Sequence, residues 1–274
     1  MMDNFKQTSK KGKSMLGGST LVFFVLVYLL TIPFWVLGAV TGFQLMPGLP
    51  VAALSTICPM LAALILVYFE NRKMGVVALL KRAFDFKRIA NVWYVPILLI
   101  MPVVMLLSFG VMRITGMSVP TPIIRVMPTI VLGIVFLIGA LGEELGWSGY
   151  AIDPMQKLMG TFRASIVLGM VWAVYHYVAL AQAHRSVEWI AWWSLGTVAE
   201  RVIIVWIYNN TNKSVFATAL LHMMINVTWQ LFPISGSYYD PRITSIIVTL
   251  IAVTIVVLKY NLIHMRGNCH LYIL

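Results

Sequence analysis

The chain of 274 residues is too apolar for an ordinary soluble protein. Hydrophobic residues make up 60% of it, charged residues only 11%, and its mean hydropathy is +0.89, whereas soluble domains carry about 25% charged residues. Its formal net charge of +11 is spread over short segments between apolar runs, which is typical of membrane proteins and speaks against nucleic acid as a partner. Cys58 and Cys269 provide neither a metal-binding spacing nor a disulfide framework. Composition therefore predicts a polytopic membrane protein and leaves no room for a soluble core.

Eight apolar runs are long enough to cross a bilayer, which takes about 20 residues of helix. They lie at about 21–43, 51–69, 92–111, 127–145, 164–183, 189–208, 215–232 and 243–258. We therefore predict an all-α fold in which residues 1–274 form a single integral membrane domain with about eight transmembrane helices. Residues 1–19 are predicted to form a basic cytoplasmic tail.

The connections between the runs carry most of the basic residues. Residues 71–88 alternate apolar and basic side chains, which predicts a short helix on an anionic membrane surface; a helix that docks on a partner protein is the alternative. With the N-terminus inside, fifteen Lys and Arg residues fall on the inner side and four on the outer side. Because cytoplasmic loops are enriched in Lys and Arg, both termini are predicted to be cytoplasmic.

Residues 141–150 read L-G-E-E-L-G-W-S-G-Y and place Glu143 and Glu144 at the end of the fourth run. A charged side chain at membrane depth costs at least about 2.5–3.5 kcal/mol, so such a residue is by default a candidate functional group. The alternative is that both side chains extend to the water interface. In the predicted orientation, His176 and His222 from the fifth and seventh runs reach the same inner half of the membrane. These groups could meet only in a water-filled cavity between helices.

His222 and Asn226 are four residues apart and therefore share one face of a helix. A carboxylate and a histidine can activate a water as general base or bind a divalent metal, and a second histidine with an asparagine amide can donate to a developing oxyanion. Together these groups would hydrolyse a peptide bond without a Ser or Cys nucleophile. Considered alone, an intramembrane histidine or asparagine can also be a structural residue that forms a hydrogen bond between packed helices.

Three motifs occur in order along the chain: E-E-L-G-W-S-G-Y from residue 143, W-A-V-Y-H at 172–176 and H-M-M-I-N at 222–226. This combination resembles the CAAX-protease and bacteriocin-processing family of intramembrane endopeptidases. The resemblance covers about residues 127–232, which we take as the catalytic motif core. It implies an eight-helix fold around a cavity that opens to the cytosol and the lipid.

The resemblance also implies roles for individual residues. Glu143 and His176 would hold the hydrolytic water, directly or through a metal, and His222 and Asn226 would stabilise the oxyanion. Glu144 would be a supporting carboxylate. The implied substrate is a hydrophobic or lipidated peptide in the bilayer, either of the prenylated CAAX type or a peptide that matures by cleavage.

One motif position departs from the family pattern. The first motif usually reads E-E-x-x-x-R, and the arginine position here holds Ser148. If that arginine normally neutralises the second glutamate, Glu144 needs another cation, a proton or contact with water. Arg201 in the sixth run is one candidate. The interpretation preferred from the sequence is instead that Arg201 pairs with its neighbour Glu200.

The use of a metal and the class of activity stay open at this point. Glu143, His176 and His222 could hold zinc, but the amide of Asn226 suits oxyanion binding better, so metal-dependent and metal-free mechanisms both fit the sequence. A catalytically silent scaffold or a transporter could use the same polar cavity. Transporters often contain internal repeats, and no convincing repeat relates the halves of this chain. The leading prediction is therefore an intramembrane endopeptidase.

Overall fold

The computed structural model describes the backbone of residues 2–122, 124–232 and 239–269, and within these ranges the side chains from residue 19 to residue 258. The described residues are mostly helical, and their β-structure is limited to one two-stranded ribbon. The predicted all-α class is confirmed. The helices are α1 Met2–Thr41, α2 Cys58–Lys81, α3 Tyr94–Ile114, α4 Val126–Gly146, α5 Ile152–Met159, α6 Thr161–Gln182, α7 Val187–Asn210, α8 Val215–Leu231 and α9 Pro241–Cys269.

The predicted transmembrane spans are helices in the structure, and most of them are long enough to cross a membrane. In the described part of the chain, seven helical segments are long and apolar enough to cross a bilayer. The helix α8 has 17 residues, which is the lower limit for a transmembrane helix. The polytopic membrane architecture is therefore confirmed. The helix α1 continues through the predicted basic tail, whose side chains lie outside the described residues as far as residue 18.

The link between the first two spans contains structure that the sequence did not predict. Strands β1 (Gln44–Met46) and β2 (Leu49–Pro50) pair antiparallel around Gly48, whose φ of 77° favours glycine. Residues Val51–Ile57 then form a 3₁₀ segment, and α2 starts after it with Pro59 in its first turn. Proline fits there because an N–H in the first turn has no helical partner to lose.

The predicted surface helix is a continuation of α2. Helical geometry is interrupted at Arg72, whose φ of 53° lies in the left-handed region, and resumes as far as Lys81. Short 3₁₀ turns follow at Arg82–Phe84 and Phe86–Arg88. Between them, the carboxylate of Asp85 accepts hydrogen bonds from three donors at the start of α8. The connection is thus tied to the N-terminus of α8; its position on a membrane surface stays a prediction.

The acidic pair enters the middle of the bundle on α4. This helix packs against both α2 and α8, while α7 packs against both α6 and α9. Glycines allow close approach: a Cβ at Gly146 would lie 2.5 Å from the backbone of Pro59 in α2, and one at Gly169 of α6 would lie 2.9 Å from the Cα of Val198 in α7. Small residues commonly bring membrane helices together in this way. As a result, α4, α6, α7 and α8 all contribute residues to one cavity.

Candidate active site

A cavity of about 820 Å³ lies between these helices. It is bordered by Glu143 of α4, His176 of α6, Glu200 of α7, and His222 and Asn226 of α8. Much of the remaining wall is apolar and includes Leu54, Ile57, Met101, Met105, Val135 and Phe136. The fold therefore brings four of the five predicted site residues to a single, mainly apolar cavity.

Two tryptophans hold the carboxylate of Glu143. Its Oε2 accepts hydrogen bonds from Nε1 of Trp147, one turn later in α4, at 3.1 Å and from Nε1 of Trp172 in α6 at 2.7 Å. Both indoles are buried, and an indole N–H can only donate. The two bonds fix the orientation of the carboxylate, and Oε1 accepts no hydrogen bond from the residues that the structure describes.

The free oxygen of Glu143 faces His176. The ring Nδ1 of His176 lies 2.8 Å from the carbonyl oxygen of Trp172. Because a carbonyl only accepts, Nδ1 carries the proton and Nε2 of the neutral ring is an acceptor. This Nε2 is 3.9 Å from Oε1 of Glu143, too far for a direct hydrogen bond. One water at about 2.8 Å from each atom would join them with an angle of roughly 90°.

Glu144 lies behind the cavity wall and is fully buried. Nη1 of Arg201 lies 3.0 Å from each of its carboxylate oxygens. Nδ1 of His222 donates to Oε1 at 3.1 Å, and the hydroxyl of Ser148 donates to Oε2. The carboxylate is thus neutralised by a cation from α7 and hydrogen-bonded by a side chain of α8. Ser148, at the arginine position of the motif, contributes one further donor.

The preferred interpretation, in which Arg201 pairs with Glu200, is wrong. The guanidinium of Arg201 is fully buried, and its Cζ lies 4.0 Å from the ring centre of Trp172 as well as beside Glu144. Consecutive helical residues point about 100° apart, since 3.6 residues complete a turn. Arg201 therefore faces α4 and α6, whereas Glu200 faces the cavity.

The helix α8 places His222 and Asn226 on one face, one turn apart. Glu144 orients the ring of His222 through Nδ1, and the ring packs edge-on against Trp172 with 5.1 Å between centroids. Its other nitrogen, Nε2, is left for the cavity. Asn226 borders the cavity, but its amide bonds to none of the other site residues that the structure describes. The amide is thus available to a molecule in the cavity.

The residues predicted as metal ligands do not form a ligand set. Within the described ranges, no group of three or more His, Cys, Asp or Glu residues is placed so that it could hold a metal ion. Glu143 and His176 are adjacent, whereas His222 is bonded to Glu144 through Nδ1. The requirement for a metal therefore stays a prediction.

Sequence reasoning missed two features of the site. The first is Trp147, whose spacing of four residues from Glu143 was the available signal, because such residues are neighbours on a helix. The second is the cavity position of Glu200. No sequence signal shows whether Glu200 faces the cavity or pairs with Arg201, because the rotation of α7 in the bundle decides which way each side chain points.

Two comparisons with known proteins bear on this site. Residues 125–228, which contain all the predicted site residues, match a family model described as type II CAAX prenyl endopeptidase Rce1-like. The predicted family resemblance is confirmed. The chain is also similar to the CAAX prenyl protease 2 of Methanococcus maripaludis, with 25% identity over 244 aligned residues; the match covers 78% of this chain and 85% of that protein. The likeness thus extends well beyond the three motifs and supports an intramembrane protease.

Proposed function

We propose that the chain is an intramembrane endopeptidase that hydrolyses a peptide bond of a prenylated CAAX-type or similarly hydrophobic peptide. The observation that carries this proposal is the pair of free acceptors, Glu143 Oε1 and His176 Nε2, 3.9 Å apart at the cavity wall. The other polar atom of each side chain is already engaged, Oε2 by two indoles and Nδ1 by a carbonyl. A water molecule can donate to both free atoms at once.

The bound water is the nucleophile in this mechanism. It donates one hydrogen to Glu143 and one to His176, so its oxygen is free to attack the carbonyl carbon of the peptide bond. As the new C–O bond forms, one proton passes to this pair, which acts as general base. The same proton passes to the leaving nitrogen as the C–N bond breaks. The products are a carboxylic acid and an amine, and the pair returns to its starting state.

His222 and Asn226 are the proposed donors to the oxyanion. The amide of Asn226 donates through its NH₂ group. The ring of His222 donates through Nε2 when both ring nitrogens carry protons, while Glu144 accepts from Nδ1. Donors that are already oriented toward the developing charge typically contribute about 2.7–4 kcal/mol each to the rate. Glu144 is a positioning residue in this scheme, and Arg201 neutralises it.

The substrate class follows from the cavity wall and from the relatives. The wall is mainly apolar, which favours a substrate with a hydrophobic or lipid segment. The similar archaeal protein is named a prenyl protease, which supports a prenylated peptide as the first substrate to test. The distribution of basic residues favours cytoplasmic termini, and in that orientation the peptide would come from the cytosolic side of the bilayer.

Cleavage of a fluorogenic farnesylated peptide by the purified protein in lipid nanodiscs tests the proposal. Glu143→Gln keeps the shape of the side chain but removes the base, and we expect turnover to fall by about 100-fold or more. Glu188→Gln is the matched control, because this carboxylate of α7 is 73% exposed and should be dispensable. Equal turnover of Glu143→Gln and wild type would contradict the assigned roles.

The same assay separates the alternatives. A wild-type protein that cleaves none of a set of hydrophobic peptides would favour the scaffold or transporter. A chelator followed by zinc addition tests the predicted metal. Turnover that is lost and then restored by zinc supports metal dependence, and turnover that persists supports direct activation of water by Glu143 and His176.

A further inference from the structure

The cavity contains a carboxylate that the proposed mechanism does not use. Glu200 of α7 borders the cavity, and only 8% of the residue is exposed. Over the part of the chain that the structure describes, its side chain takes part in no hydrogen bond or ion pair. The contrast with Glu143 and Glu144 is clear, since each of those carboxylates accepts at least two hydrogen bonds.

An ionised carboxylate in this position needs a partner. Burial of an unpaired charge is costly, and more so within a membrane. Arg201 and His222 attract the charge of Glu200 from a distance, but the ion pairs that they form run from Nη1 and Nδ1 to Glu144, and neither residue forms an ion pair with Glu200. A cation that bonds directly to Glu200 can therefore come from the cavity.

We propose that Glu200 forms a subsite for a basic side chain, lysine or arginine, of the peptide substrate. This inference rests on the proposed function, because the cavity that holds Glu200 also holds the Glu143 and His176 pair. A peptide that reaches Glu200 is thus also close to the pair that would hydrolyse it. The apolar wall suits the aliphatic stem of such a side chain, and the carboxylate suits its charged end.

The position of Glu200 on α7 indicates which substrate residue it contacts. Trp193, seven residues earlier, packs on His176 with 5.4 Å between ring centroids. Seven residues of helix span about 10 Å, so Glu200 lies about two turns along α7 from the water-activating pair. An extended peptide advances about 3.3 Å per residue. The basic residue is therefore expected within about three positions of the cleaved bond.

Matched farnesylated peptides test the subsite. Each pair carries lysine or norleucine, which has a similar stem without the charge, at one of the three positions on either side of the cleaved bond. The readout is the ratio of kcat/KM for the two members of a pair. Since a hydrogen bond to a charged group is worth about 1.5–3 kcal/mol, we expect wild type to prefer lysine by roughly tenfold or more at one position. We expect Glu200→Gln to bring that ratio close to one.

Two further variants make the result specific. Glu200→Asp keeps the charge and should retain part of the lysine preference, and Glu188→Gln should retain the wild-type ratio. A wild-type ratio near one at every position overturns the inference even if Glu200→Gln does not fold. A preference that persists in Glu200→Gln overturns it as well. Glu143-dependent turnover with no lysine preference rejects the subsite alone, whereas absence of all turnover rejects the proposed function and the subsite with it.

Discussion

Replacement of Arg201 by alanine tests the buried charge network behind the cavity. Arg201 and Glu144 are both 0% exposed, and the substitution removes a cation that contacts both carboxylate oxygens at 3.0 Å. Removal of one member of a buried pair costs about 3–5 kcal/mol, because the remaining charge is left uncompensated. His222 and Ser148 still donate to Glu144 and offset part of this loss. We therefore expect a decrease in the free energy of unfolding of about 3 kcal/mol.

Unfolding in detergent micelles, followed by tryptophan fluorescence, measures this change, and peptide turnover is recorded for the same samples. The matched control is Arg242→Ala. Its side chain is 58% exposed and forms ion pairs with Glu188 at 3.7 Å and with its near neighbour Asp240 at 3.5 Å. Exposed pairs contribute about 0–1 kcal/mol, so this variant should unfold close to wild type. If Arg201→Ala is no less stable than Arg242→Ala, the reasoning from burial is refuted.

The same network predicts a specific rescue. The hydroxyl of Ser148 already bonds to Glu144, so an arginine at this position is within reach of that carboxylate. In the Arg201→Ala background, Ser148→Arg should therefore restore part of the lost stability, because the vacated space accepts the new side chain. A double variant that folds but is no more stable than Arg201→Ala would show that the position of the cation, and not only its charge, is required.

Two other substitutions test the geometry of the site and of the bundle. Trp172→Phe removes the donor 2.7 Å from Glu143, and we expect kcat/KM for the farnesylated peptide to fall roughly tenfold. Trp35→Phe is the control and should have little effect, because the buried indole N–H of Trp35 has no described partner. Gly146→Ala places a Cβ 2.5 Å from the backbone of α2 and should lower the free energy of unfolding by about 1–3 kcal/mol. Gly110→Ala, with no neighbour within 4 Å, should not lower it. A similar loss in both glycine variants would contradict the close-packing argument.

The spans were predictable because the length of an apolar run is a direct consequence of bilayer thickness. The ends of the spans were harder to predict. The run at 51–69 begins as the 3₁₀ segment Val51–Ile57, and α2 continues beyond it to Lys81. Apolar composition does not distinguish a 3₁₀ turn from an α-helix, and a basic stretch after the span does not show whether the helix bends or stops. The two-stranded ribbon before Val51 was missed because apolar composition does not distinguish it from the end of a helix either.

The residues around the cavity were predictable to the extent that a motif defines them. Glu143, His176, His222 and Asn226 are all found at the wall, as the three motifs indicate. Their supporting partners were harder to predict. The indole of Trp172 reaches Glu143 from another helix, so this contact depends on how α6 packs on α4, which no single-helix pattern contains.

The departure at Ser148 and the cavity position of Glu200 are linked through Arg201. Without an arginine at position 148, Glu144 takes its cation from α7, and Arg201 makes that contact through both carboxylate oxygens. The same contact directs Arg201 away from the cavity, whereas its neighbour Glu200 borders the cavity and forms no ion pair with any residue that the structure describes. A change in one motif residue is thus compensated on another helix. The compensation leaves the carboxylate of Glu200 at the cavity wall, where the proposed subsite requires it.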